Sequence, residues 1–312
     1  MTRLLIAELR RAAARRLVRV TVVVACLGIV IGGVVAFVAT GSVTETAYRQ
    51  RVREADTRQR AAQAEIEACL SARGVGSAQG KVPDDVAQQC FRRAGDPFQP
   101  ADDPRFHRSR LRGLLQGVSG VLAIVGWALG ASLVGAEFAS RGMTTLLTWE
   151  TRRTRVFLAK SLAAIAASAF VALVVLTLVA VAMVPALTLH GAPLRPDDPS
   201  VASLAGIIGR GTALTAIAAG IGFAIATIGR NTAAALGAGF AYIIILENIL
   251  GSSVERWRRW LLLGNVIVFV AGENNGGDVP GRTVTTAGLF LAAVTLTWLV
   301  AAAGAFRTRD LA

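Results

Sequence analysis

The sequence predicts an all-α membrane protein of six transmembrane helices. Three observations carry that expectation. Of the 312 residues, 54% are hydrophobic and only 17% are charged, too few charges to cover a soluble domain of this length. The mean hydropathy is +0.54. Six apolar stretches are also long enough to cross a hydrocarbon core roughly 30 Å thick, at 20–39, 113–136, 156–187, 202–228, 232–250 and 284–306.

The net charge of +13 has an ordinary cause in such a chain, the excess of Lys and Arg in cytoplasmic segments. With the N-terminus inside, fourteen cations in the terminal and short inner segments face five in the two short outer loops. The inner set includes Arg3, Arg10, Arg11, Arg15, Arg16 and Arg19 ahead of the first span. The opposite orientation inverts that ratio, so both termini are expected in the cytoplasm of a plasma-membrane protein. No basic surface interleaved with aromatic residues appears, which argues against a nucleic-acid partner.

Residues 1–19 read as an amphipathic helix lying on the membrane, with Leu4, Leu5 and Leu9 toward lipid and arginines toward lipid phosphates. Residues 20–39 form the first span, too long for the apolar core of a usual signal peptide. Residues 40–112 form a small helical lobe expected outside. In it, 43–72 has no Pro or Gly and should be one helix; a second short helix is expected over 84–93. Cys69 and Cys90 both fall in this lobe, in a compartment where disulfides persist, and are expected to be bridged. The stretch "GVGSAQGKV" superficially resembles a phosphate-binding loop, but it has five residues before its last glycine and no hydroxyl after Lys81.

Residues 113–312 hold the other five spans. "GRNT" at 229–232 is so tight a turn that the spans on either side must be antiparallel neighbours. "VERWRRWLLLGNVIVFVAG" (254–272) has an apolar part too short to cross, and tryptophans beside arginines mark an interfacial position. It reads as an outer re-entrant or surface segment. Glu247 lies within a span, where a carboxylate is costly and usually paired or functional. Arg210 is in the same leaflet and is its expected partner, either as a structural pair or as a substrate or gating contact. Gly28-x-x-x-Gly32 and Gly126-x-x-x-Gly130 permit close helix approach. His107 and His190 have no metal-ligand spacing, and no catalytic constellation is found.

The segment "EFASRGMTTLLTWETRRTRVFLAK" (137–160) carries four arginines and a lysine between two long spans. It resembles a motif of type-2 ABC transporter permeases, the six-span membrane subunits of ABC exporters. Glu137, Gly142, Leu146, Leu147, Thr148, Arg153 and Lys160 fit its positions, while Met143 and Glu150 depart from it. The fourth and fifth spans match as well, with Arg230, Asn231 and Glu247 in register.

The resemblance implies that 137–155 is a coupling helix docking into a separate cytoplasmic ATPase subunit, which would bind the ATP and Mg. Met143, Leu146, Leu147 and Trp149 would fill a hydrophobic cleft, ringed by Glu137, Arg141, Arg152, Arg153 and Arg155. A second permease copy or a homologue would complete the pathway. Two other classes remain open: a membrane-anchored sensor or assembly factor acting through the 40–112 lobe, and an ion-coupled secondary transporter.

Overall fold

We analysed a computed structural model that describes residues 2–14, 16–72, 89–90, 103–140, 152–194, 198–247, 259–272 and 281–308, with isolated positions 196, 249 and 279. Among them are ten helices, α1 (Thr2–Ala14), α2 (Arg16–Ala39), α3 (Glu45–Ala72), α4 (Arg108–Ala139), α5 (Arg153–Ala182), α6 (Val184–Leu189), α7 (Val201–Gly229), α8 (Thr232–Ala241), α9 (Leu262–Ala271) and α10 (Val284–Thr308). No strand occurs among the described residues; one isolated bridge pairs Phe106 with Gly191. The chain divides into two compact units, a helical bundle (Met1–Val35, His107–Val184 and Pro193–Ala312) and a polar lobe (Ala36–Phe106 and Pro185–Ala192).

Five described helical segments are long and apolar enough to cross a membrane: Arg19–Ala39, Arg108–Ala139, Arg153–Leu189, Val201–Gly229 and Val284–Thr308. The sixth expected span is helical over Thr232–Glu247, first as α8 and then as a π-helical stretch, Tyr242–Glu247. These 16 residues fall short of the ~20 that a crossing helix needs; most of 248–258 lies outside the described residues. The third segment breaks at Met183, two residues before Pro185. Proline lacks the amide proton of the helical ladder and its ring crowds the carbonyl four residues back.

Local sequence sets the helix ends. Ser200 caps α7 by accepting from the Ser203 amide at 3.1 Å. Arg230 ends it in the left-handed region at φ 52°, and Asn231 then caps α8 by accepting from the Ala233 amide at 2.8 Å. This is the tight turn expected at 229–232, and α8 packs back on α7.

The bundle core lies where α4, α5, α7 and α10 meet. Phe157 of α5 packs edge-on to Phe223 of α7 (centroids 5.6 Å apart) and against Phe306 of α10 at 5.9 Å. Buried hydroxyls turn inward on their own helices: Ser119 donates to the Leu115 carbonyl at 2.7 Å and Thr215 to the Gly211 carbonyl at 3.0 Å. No polar partner across the apolar interface is then needed.

The two glycine motifs separate sharply. A Cβ at Gly126 would lie 2.7 Å from the Thr215 carbonyl oxygen, and one at Gly130 would sit on the Ala219 backbone. One at Gly28 or Gly32 would meet nothing within 4 Å. No described side chain of α2 is buried, so the first motif is not used inside this chain.

In the lobe, α3 begins two residues later than expected and ends at Ala72. Of the second expected helix only 89–90 are described, and both are helical. Cys69 and Cys90 form the expected disulfide. Closing a loop of that length contributes about 3 kcal/mol in the chain-entropy view. Cys69→Ser is therefore expected to lower the lobe's stability by about 2–4 kcal/mol, read as faster hydrogen exchange along α3 that reduction of the wild type reproduces.

Arg105 organises the other end of α3. It donates to Asp103 at 2.9 Å and to Glu45 at 2.7 Å, and lies 4.0 Å from the Tyr48 ring centroid. These carboxylates, Asp103 first, hold its guanidinium above the ordinary arginine range. In return, hydrogen bonds from Arg105 and then Arg49 hold the Glu45 carboxyl below the usual range. A lowered carboxyl stabilises the folded state above its unfolded value, and that contribution is lost as pH falls through the folded one. Protection at the start of α3 should thus fade only below the usual glutamate range of about 4.3, and Glu45→Gln should abolish that pH dependence.

Candidate functional site

Two helix ends frame the segment 137–155. α4 delivers Glu137 within its last turn, and α5 begins at Arg153 and carries Lys160 two turns in. Lys160 is almost completely buried. Its ammonium contacts Glu137 Oε2 at 2.5 Å and Glu8 Oε1, from α1, at 3.0 Å. Arg11 adds a second cation to Glu8 at 3.2 Å. The cluster is bounded by Leu133, Ala163, Ala164 and Phe223, so its charges meet apolar walls on one side. A buried charge persists only when paired and hydrogen-bonded; here one lysine answers two carboxylates and one arginine makes up the balance.

The arrangement ties three helices at one point. α1 is held to α5, and α5 to the end of α4, directly beside the segment that joins them. A further tie comes from Arg153, which donates to the Arg307 carbonyl at the end of α10 at 3.2 Å. Arg152 and Arg155 are exposed and Glu137 is partly buried. Arg141, Gly142, Met143, Leu146, Leu147 and Trp149 lie outside the described residues.

Glu8 is the member of this cluster that the sequence reading passed over. It is the one acid among the first 19 residues. Its i, i+4 spacing to Leu4 and Ala12 places it on the apolar side of α1. A lone carboxylate on the greasy side of a basic helix is the signal that identifies it.

Arg210 and Glu247 are not brought together. Glu247 Oε1 accepts from the Leu263 amide at 2.8 Å and so satisfies an orphan donor at the start of α9. Tyr242 OH accepts from the Leu262 amide at 3.1 Å beside it. The Arg210 guanidinium lies against Gly272 at the other end of α9. The ten residues of α9 span about 15 Å, too short to cross a bilayer, and they separate the two charges. Gly272 adopts φ 82°, and a side chain there would collide with Arg210.

A bundle holding five helical segments long and apolar enough to cross a membrane is the build of a multi-pass membrane protein. The sequence matches the family described as ABC-2 family transporter protein over residues 4–311. The chain belongs to that family, and is thus a membrane component of an ABC transporter rather than its ATPase. No curated protein matches it, and no solved structure does.

Proposed function

We propose that the chain is the permease subunit of an ABC exporter, driven by a separate cytoplasmic ATPase that binds ATP and Mg and docks on residues 137–155. The observation that carries this reading is the Glu8–Lys160–Glu137 cluster. A docking element transmits force only if its roots cannot move independently, and here both roots share one buried lysine. The exposed Arg152 and Arg155 suit a charged rim around the apolar residues Met143, Leu146, Leu147 and Trp149 of the same segment.

The excess of cations in 137–155 and the terminal segments supports a cytoplasmic location for them. Two copies, or this chain with a homologue, would surround the pathway. Closure of the ATPase pair would press on both segments and switch the bundle between inward- and outward-facing states.

Charge reversal at Arg152 and Arg155 tests the reading. The double Glu variant is expected to reach the membrane at wild-type levels yet lose roughly 5- to 30-fold of its co-purifying ATPase, as fits loss of two rim pairs of about 0.5–1 kcal/mol each. Undiminished ATPase recovery and transport in that variant would remove the proposed docking role.

A further inference from the structure

Within the bundle, α4, α7, α8, α9 and α10 leave a groove of about 600 Å³. Its walls are almost wholly apolar, and Trp127, Trp260 and Trp298 line it with Phe290. Its one phenol, Tyr242, is engaged with the Leu262 amide. Such walls offer nothing to a sugar or a peptide backbone and everything to a hydrocarbon chain.

One end of the groove is cationic. The Arg282 guanidinium lies 5.0 Å from the Phe290 ring centroid and 5.8 Å from that of Trp260, and the Arg259 guanidinium lies 5.6 Å from Trp260. Arg282 also donates to the Arg259 backbone carbonyl at 2.7 Å, and both guanidinium groups lie within 6 Å of the Trp260 ring centroid. On the neighbouring helix the Glu247 carboxylate is engaged with the start of α9. An apolar slot that ends in tryptophan and paired arginines has the chemistry of the membrane interface, where a phosphate sits above its acyl chains.

We propose that this groove is a binding site for an anionic phospholipid of the surrounding bilayer, with an acyl chain along Trp127, Trp260 and Trp298 and the phosphate held by Arg259 and Arg282. Guanidinium groups take phosphate oxygens in pairs. A zwitterionic lipid presents the same phosphate but brings an ammonium toward two cations, so the site selects for net negative charge. The proposal stands apart from ATPase docking, because it needs no second protein.

The tryptophans supply the probe. With Trp149 and Trp257 replaced by Phe in the full chain, all remaining tryptophan emission comes from residues that line the groove. Reconstituted in vesicles with a low mole fraction of chain-brominated lipid, this variant is expected to be quenched several-fold more by phosphatidylglycerol than by phosphatidylcholine. Adding Arg259→Gln and Arg282→Gln should equalise the two lipids, with gel filtration confirming an intact particle. Equal quenching by both lipids before the Arg changes would make the groove plain lipid-facing surface and overturn the proposal. Absence of quenching by either would mean that a second copy or another chain covers it, and would overturn the proposal as well. A preference that survived both Arg changes would also overturn it.

Discussion

Lys160→Met is expected to be the most damaging single change in the bundle. It leaves the Glu8 and Glu137 carboxylates facing each other in a site where Lys160 and Glu8 are less than a tenth exposed and Glu137 only slightly more so. Removing one partner of a buried pair costs about 3–5 kcal/mol, because the remaining charge is left uncompensated. Detergent-solubilised protein should show a clearly lowered melting midpoint by fluorescence-detected gel filtration. Neutralising the acids in the same variant, with Glu8→Gln and Glu137→Gln, should recover most of that loss, since an uncharged set of similar volume has no ion to desolvate. If Lys160→Met melted with the wild type, the cluster would hold nothing together.

Gly130→Val is expected to follow closely. At Gly130 the α4 backbone meets the Ala219 carbonyl of α7 with no room for a Cβ; the neighbouring contacts are as tight, Gly222 lying against the Trp127 carbonyl and Gly126 against Thr215. Because the obstacle is backbone and not a flexible side chain, the helices must separate, which costs about 1–3 kcal/mol or more. Gly28→Val and Gly32→Val provide the control. Both positions are open and should leave the melting midpoint of the isolated chain unchanged, within about 0.5 kcal/mol. Equal losses at Gly28 and Gly130 would show that α2 packs more tightly than described.

The contrast between these glycines shows what the sequence could and could not reveal. Spacing made the two motifs equivalent; only the neighbouring helix distinguishes them. Apolar run length located the long helices well, because hydrocarbon thickness acts on each run separately. It was less decisive at 232–250, where the described helix turns π-helical before reaching full length. Cys69 and Cys90 were legible because two cysteines in one short polar segment leave few alternatives. The Arg210–Glu247 pairing did not follow from shared depth: α9 stands between them, its start held by the Glu247 carboxylate and its end packed against the Arg210 guanidinium. Glu8 was hidden for the opposite reason. Its partner lies 152 residues away, and no local pattern points across that distance.

That separation has a consequence for biogenesis. Ribosomes add roughly 5–20 residues per second, so Glu8 is made about 8–30 s before Lys160, 152 residues later. During this interval the amino-terminal helix has a carboxylate that must remain at the water boundary, and it cannot settle into its final place. Its docking onto Lys160 is therefore a late event, possible only once the start of the third long apolar helix has been synthesised.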